Sequence, residues 1–144
     1  MNTEELLSRV GLFHSLNKKH IAQLVRCSTT QKYESGDVIV KQGDTGLGLY
    51  VIVSGRVDVR QERPGQEPIL LNTLGTGDFF GEMALLDDYP RSATVIAREP
   101  TECLTLSKWH FLAELESHPE MALPLLPVLS RRLREAMQRA EAQS

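Results

Sequence analysis

The spacing of apolar and polar positions divides the chain into a helical part, a strand-rich part and a second helical part. Asn17 is a suitable N-cap for a helix that runs to about Cys27, after a short helical turn over residues 4–9. From residue 29 to residue 107 the apolar period is two, and turns containing glycine recur at short intervals. Helical spacing returns at Lys108, with Ser107 as the predicted N-cap. The pattern predicts an α+β protein with a sandwich or jelly roll between helices.

Six apolar runs predict strands, at residues 38–40, 49–53, 57–59, 69–74, 93–97 and 103–106. The polar segment 61–68 predicts an exposed hairpin tip. In the first C-terminal helix, we expect Trp109 to lie in the core or to dock the helix, on one side with Leu112 and Leu115. The last helix carries one apolar stripe, which packs on the roll or pairs with a second copy of the chain. The stripe consists of Leu126, Leu129, Leu133 and Met137.

Composition narrows the classes of function. The chain has 144 residues, 41% hydrophobic residues and a net charge of −3, so it can bury a full core but lacks the basic footprint of non-specific nucleic-acid binding. No apolar run is long enough to span a membrane, and the first residues do not resemble a signal peptide, which predicts a cytoplasmic protein. Cys27 and Cys103 are predicted to be free thiols. The four histidines show no metal-site spacing, so no metal is predicted.

The segment FGEMALLDDYPRSATV, residues 80–95, carries the strongest chemical signal. Arg91 can form a bidentate, charge-assisted pair with a phosphate. Glu82, nine positions earlier, can accept the proton of a ribose hydroxyl. Gly81 allows the backbone to approach a ligand where a Cβ would collide. The combination predicts a site that holds a phosphate-containing nucleotide without reacting with it. The sequence shows no pairing of a nucleophile with a base, so an enzyme is not predicted.

Two motifs resemble the cyclic nucleotide-binding domain, which is shared by catabolite activator proteins, regulatory subunits of cyclic-AMP-dependent kinase and cyclic-nucleotide-gated channels. The segment GDVIVKQGDTGLGLYVIVSGRVDV, residues 36–59, resembles the opening strands of that domain. Residues 80–95 resemble its phosphate-binding cassette, and we call this segment the cassette. The resemblance implies a β-roll (a double-stranded β-helix, jelly-roll-like) with N-terminal helices at 1–28, the roll at 29–107 and two C-terminal helices at 108–144, all in one domain.

The resemblance also implies a role for each matching residue. Arg91 would bind the cyclic phosphate and Glu82 the ribose 2′-hydroxyl. Gly81 and Ala84 would offer backbone N–H groups, and Ser92 its hydroxyl or N–H, to the phosphate. A serine at position 92 favours cyclic AMP over cyclic GMP. Further candidates are Met83 in the cassette, Leu71 and Leu74 as an apolar wall for the base, and Arg131 or Arg134 as a lid on the last helix. The favoured alternative is that the arginines of this helix form a solvated face paired with Glu135; they are Arg131, Arg132, Arg134 and Arg139.

Three functions follow as hypotheses. The first is a cyclic nucleotide sensor, with cyclic AMP as the ligand that Ser92 favours, that signals to an unknown protein effector by moving its C-terminal helix. The second is part of a catabolite-activator-type regulator; the chain leaves no room for a helix-turn-helix after its last helix, so DNA binding by this chain alone is not expected. The third is an interaction or dimerisation module whose pocket has degenerated. Whether the chain forms a homodimer through its C-terminal helix is left open.

Overall fold

A computed structural model describes residues 2–143 and places short helices at the N-terminal end. Helix α1 (Thr3–Ser8) is followed by a 3-10 helix (Gly11–Phe13) and by α2 (Lys18–Cys27). The predicted N-cap of α2 is confirmed, because Asn17 Oδ1 accepts from the backbone N–H of His20 at 2.9 Å. This cap satisfies a donor that the first helical turn would otherwise leave unpaired.

Eight strands of the described chain form two four-stranded antiparallel sheets, with orders β1-β8-β3-β6 and β2-β7-β4-β5. The sheets face each other as a jelly-roll-like β-roll, as the sequence predicts. The strands are β1 (Thr29–Tyr33), β2 (Val38–Val40), β3 (Gly48–Ser54), β4 (Val57–Arg63), β5 (Gln66–Leu74), β6 (Phe79–Phe80), β7 (Thr94–Ala97) and β8 (Thr101–Ser107). The hairpin predicted at residues 61–68 joins β4 to β5, and Gly65 at its turn has a φ of 67°.

The core has two parts, and the larger part holds the helices to the roll. Leu49, Leu104 and Leu106 on β3 and β8 pack against apolar residues of the N-terminal helices and of the C-terminal region. The smaller part fills the roll between the sheets around Ile52 and Cys103. The N-terminal helices are therefore packed on the same sheet as the C-terminal helices, and the two helical parts contact each other.

The C-terminal region consists of α3 (Lys108–Ser117), a 3-10 helix (Pro119–Ala122) and α4 (Leu125–Gln143). Ser107 Oγ accepts from the backbone N–H of His110, which confirms the predicted N-cap of α3. The expectation that Trp109 is a core or docking residue is wrong, because 64% of its surface is exposed. Phe111 is the buried aromatic of α3 instead, and its ring lies 5.6 Å from that of Phe13.

Helix α4 is anchored at its start and exposed along most of its length. Leu125 and Val128 are buried in its first turn, whereas Leu126, Leu133 and Met137 are exposed. The predicted apolar stripe therefore leaves the roll after Leu129, which packs on the larger core. No helix within residues 2–143 has the length and apolar character that crossing a membrane would require.

Candidate functional site

The loop after the cassette's short helix fixes the backbone of Arg91. The N–H of Arg91 donates to the carbonyl of Asp44 at 2.7 Å, and the carbonyl of Arg91 accepts from the N–H of Gly43 at 2.9 Å. A β-bridge between Thr45 and Pro90 continues this pairing. These backbone contacts hold the β2–β3 loop against the cassette and fix the position of the Arg91 Cα, from which the side chain extends.

The guanidinium of Arg91 borders the cassette cavity and has no acidic partner among residues 2–143. Its Nη2 donates to the carbonyl of Gly48 at 2.9 Å, and its Cζ lies 5.7 Å from the ring centre of Tyr50. That ring stacks on Phe80 at 5.0 Å. None of the ion pairs among residues 2–143 includes Arg91. Burial lowers the pKa of Arg91 below its ordinary value, and the cation is left with one carbonyl and a ring face.

Glu82 begins the 3-10 helix Glu82–Leu85 of the cassette, and both oxygens of its carboxylate are engaged. Oε1 lies 2.6 Å from Nη2 of Arg132 on α4, and Oε2 accepts from the backbone N–H of Leu12 at 3.2 Å. Only 14% of the Glu82 side chain is exposed. One carboxylate therefore connects the cassette to the first 3-10 helix and to the C-terminal helix.

Gly81 supplies the close approach that the sequence predicts. Its φ is 79°, in the left-handed region that glycine adopts without strain. A Cβ at this position would overlap Nη1 of Arg91 and would lie 2.8 Å from the carbonyl oxygen of Gly48. The absence of a side chain is what allows the guanidinium to lie directly over the cassette backbone.

The cassette borders an open cavity of about 490 Å³, and the cassette residues that are predicted to bind a ligand line it. This volume is in the range of about 300–1,000 Å³ that small-molecule sites occupy. Arg91 also borders a second cavity of about 240 Å³ beneath β2 and Tyr50. The lining of the larger cavity is Gly81, Glu82, Met83, Ala84, Asp87, Tyr89, Pro90, Arg91 and Ser92.

The remaining predicted residues are placed less uniformly. Ser92 is exposed at the cavity. Ala84 is buried there, and its N–H donates to the carbonyl of Gly81 at 3.1 Å, so it is already used. Leu71 and Leu74 lie on β5; Leu71 is 52% exposed, while Leu74 packs in the smaller core. Their role as a wall for the base stays a prediction.

On α4, the arginine that reaches the cassette lies between the two that the sequence suggests. Arg131 and Arg134 are exposed, whereas Arg132 pairs with Glu82 and its Nη1 lies 3.4 Å from Sδ of Met83. Sequence reasoning assigned Arg132 to a solvated face. The lid role of Arg131 or Arg134 stays a prediction, and the contact of α4 with the cassette is made by Arg132.

Two histidines that are distant in the sequence also come together. The rings of His20 and His118 lie 6.0 Å apart, on α2 and at the end of α3, and the carboxylate of Glu120 lies between them. This proximity could not be predicted from the sequence, since a spacing of 100 residues between His20 and Glu120 matches no metal-binding motif.

Comparison with known proteins decides the family. A model of the cyclic nucleotide-binding domain matches residues 30–118, which include β1 to α3 and the whole cassette. The chain belongs to the cyclic nucleotide-binding domain family. The cavity of this cyclic nucleotide-binding domain lies at the cassette, residues 80–95, which is one of the two motifs that resemble the family.

Relatives with this domain include regulators and kinase subunits. The cyclic AMP receptor protein of Thermus thermophilus is 39% identical over 125 residues, which are 87% of this chain and 58% of that protein. The crystal structure of the N-terminal domain of a transcriptional regulator from Streptomyces coelicolor has a TM-score of 0.86 at 30% identity, covering 94% of each chain. The regulatory domain of Toxoplasma gondii PKA, solved with cAMP, has a TM-score of 0.72 at 25% identity, over 92% of this chain and 49% of that one.

The chain therefore spans 58% of the length of the Thermus relative. The similarity supports statements about the cyclic nucleotide-binding domain alone. A cyclic nucleotide-binding domain is a regulatory binding unit, which agrees with a cavity that holds one unpaired cation beside backbone groups.

Proposed function

We propose that the chain binds cyclic AMP in the cassette cavity and reports its presence by releasing the C-terminal helix α4. The observation that carries the proposal is the state of Arg91: a desolvated guanidinium with no acidic partner among residues 2–143, at the edge of a cavity of ligand size. A cyclic phosphodiester has one negative charge and two free oxygens. It would neutralise this cation and accept two parallel hydrogen bonds from it.

Glu82 supports a specific place for the sugar. It lines the same cavity as Arg91, so a ribose whose phosphate binds Arg91 can present its 2′-hydroxyl to the Glu82 carboxylate. A ligand without that hydroxyl would make no hydrogen bond to Glu82 and would leave the carboxylate with Arg132, so it should bind more weakly than the ribose ligand. The charged ends of the site thus match the two polar parts of a cyclised ribose phosphate.

The pair between Glu82 and Arg132 supports the signalling step. We propose that a hydroxyl donating to Glu82 approaches on the side of Oε1 that the Arg132 guanidinium occupies, while Oε2 keeps its hydrogen bond from the backbone of Leu12. Binding therefore weakens the contact that holds α4 against the cassette. Thermodynamic linkage makes this effect reciprocal. Any contact that stabilises α4 in its present position lowers the affinity for the ligand by the same free energy by which the ligand destabilises that position. The free energy of the movement comes from this difference in affinity between the two helix positions.

The base is proposed to be adenine. Ser92 is exposed at the cavity, and the family resemblance associates Ser at this position with cyclic AMP and Thr with cyclic GMP. The relative from Thermus thermophilus is named a cyclic AMP receptor, and the Toxoplasma domain was solved with cAMP. Cyclic GMP is the competing ligand that any binding experiment has to include.

The output of the sensor is proposed to be a protein contact through α4. Its residues Leu126, Leu133 and Met137 are exposed and leave apolar surface uncovered, both within and beyond the part of the helix that packs on the roll. Such a surface fits a second copy of the chain or a protein effector. DNA recognition by the chain is not proposed, since its acidic net charge gives no basic footprint.

Isothermal titration of the purified chain with cyclic AMP and with cyclic GMP tests the proposal. Saturable binding of one nucleotide per chain, tighter for cyclic AMP, is the expected result. The absence of heat with either nucleotide at high micromolar concentration would remove the proposal and would favour an interaction module with a degenerate pocket.

A further inference from the structure

A second group of polar side chains lies apart from the cassette, where the N-terminal and C-terminal helical parts meet. His20 on α2 is 7% exposed, although histidine is rarely so deeply buried without a polar partner. Its Nε2 lies 3.3 Å from Oε1 of Glu120, and Nδ1 of His118 lies 3.5 Å from the same oxygen. Two imidazole nitrogens and one carboxylate oxygen thus surround one point, with each ligand atom within 4.8 Å of the others.

We propose that His20, His118 and Glu120 form a binding site for a divalent transition-metal ion of the zinc type. The distances carry the proposal. Zinc bonds of about 2.0–2.1 Å to nitrogen and about 2.0–2.2 Å to oxygen, at tetrahedral angles, place neighbouring ligand atoms about 3.3–3.5 Å apart. The separations of Glu120 Oε1 from His20 Nε2, 3.3 Å, and from His118 Nδ1, 3.5 Å, already fall in this range without an ion. The third separation closes by a small rotation of the half-exposed His118 ring.

The surroundings of His118 orient its ring for this role. Its Nε2 lies 3.2 Å from the side-chain amide of Gln23 and 4.0 Å from Oε2 of Glu114. Oε1 of Gln23 and Oε2 of Glu114 are both buried and lack a hydrogen-bond partner within residues 2–143. A half-turn of the Gln23 amide lets its oxygen accept from the Nε2–H of His118. The proton is then on Nε2, and the lone pair of Nδ1 is free to bind the ion. Metal-binding histidines usually donate their other ring N–H to a neighbouring acceptor in this way, which fixes the tautomer.

The donor set selects the class of ion. Imidazole nitrogen suits zinc, copper and nickel, whereas calcium and magnesium prefer sites made of oxygen alone. The Glu120 side chain is 56% exposed, which gives an ion a path from solvent and leaves a fourth position for water. The site joins α2 to the segment between α3 and α4, just before α4 begins. A bound ion would therefore brace the base of the helix that contacts the cassette.

Titration of the metal-free, untagged chain with zinc chloride, followed by calorimetry, tests the site without any nucleotide. One zinc ion per chain and a higher thermal midpoint are expected. Cobalt(II) is the spectroscopic probe, and intense visible absorption bands are expected for a tetrahedral nitrogen–oxygen site. His118→Gln and Glu120→Gln change side chains that are partly exposed, and each should lower the affinity for zinc by at least ~10-fold.

His14→Gln and His110→Gln are matched controls that leave the three ligands in place, and Cys27→Ser tests whether the thiol near Glu114 is involved. Zinc binding that is unchanged in all three controls and weakened in both ligand variants supports the site. No saturable zinc binding at 100 μM (roughly the weak end of useful affinity for such sites), equal binding in every variant, or loss in Cys27→Ser overturns it. The cluster would then be a hydrogen-bonded bridge between two histidines.

Discussion

Arg132 on the last helix and Glu82 at the start of the cassette form an ion pair of 2.6 Å, in which Arg132 also contacts Met83. The pair places a residue of the helix that is proposed to move directly on the residue that is proposed to bind the ribose. The present position of α4 and occupancy of the site are thus proposed alternatives at one carboxylate. No chain of intermediate residues is needed to connect them.

Replacement of Arg132 by alanine should tighten cyclic AMP binding. The ligand no longer competes with the guanidinium for Oε1 of Glu82, and a partly exposed pair of this kind contributes about 1 kcal/mol, or roughly 5-fold in affinity. Calorimetric titration of Arg132→Ala measures the change. Arg139→Ala, which removes an exposed arginine from the same helix, is the control and should bind as the wild type does. Weaker binding by Arg132→Ala would show that this arginine helps to hold the ligand.

Gly81→Ala should lose nucleotide binding and lower the free energy of unfolding. The substitution forces a left-handed backbone on alanine, at about 1–2 kcal/mol, and its Cβ displaces the Arg91 guanidinium. Gly65→Ala is a matched control, since Gly65 has a φ of 67° but a Cβ there meets nothing within 4 Å. Urea unfolding and cyclic AMP titration of both variants separate the two effects. Equal losses of stability with intact binding in both would contradict the account.

The cassette could be predicted from the sequence because its parts lie within sixteen consecutive residues. Arg132 could not, since it lies 49 positions from Met83 in a run of arginines. Helical spacing does not say which of them faces the cassette. The polar strand β1 was missed for a related reason: it lies at a sheet edge and has no alternating apolar pattern. Helix α3 has two large aromatic residues, Trp109 and Phe111, and the sequence alone does not say which of them is buried. Tertiary packing buries Phe111 and leaves Trp109 exposed.

Arg91→Ala should remove ligand binding while leaving the ligand-free protein nearly as stable as before. The substitution loses one hydrogen bond to Gly48 but also removes a desolvated cation that has no acidic partner within residues 2–143, so the free energy of unfolding should change by less than about 1 kcal/mol. Thermal unfolding with and without cyclic AMP measures both quantities. Arg98→Ala, on the roll surface, should keep the ligand-induced rise in midpoint. A loss of several kcal/mol in ligand-free Arg91→Ala would make Arg91 a structural residue.

Stability should fall as the pH rises above 9, because of the buried thiol of Cys103. Burial raises its pKa from 9.0 to about 12 in the folded protein, so the unfolded chain releases the proton first. The contribution is complete below pH 9 and is lost between pH 9 and pH 12. Urea unfolding at pH 8, 9.5 and 10.5 measures the decline, which should be less steep in Cys103→Ala. Tyr33, whose pKa burial also raises to about 12, adds a decline that this variant retains. Identical slopes for the two proteins would show that the thiol titrates normally.

The most direct test is calorimetric titration of the wild type, Arg91→Ala and Glu82→Ala with cyclic AMP and with 2′-deoxy cyclic AMP. The account predicts that the wild type prefers cyclic AMP and that Arg91→Ala weakens both ligands by ~100-fold or more, as loss of a buried charge partner does. Glu82→Ala should bind the two ligands equally, because the group that reads the hydroxyl is gone. An unchanged preference for cyclic AMP in Glu82→Ala, or no binding by the wild type, would contradict the convergence of Arg91 and Glu82 on one sugar phosphate.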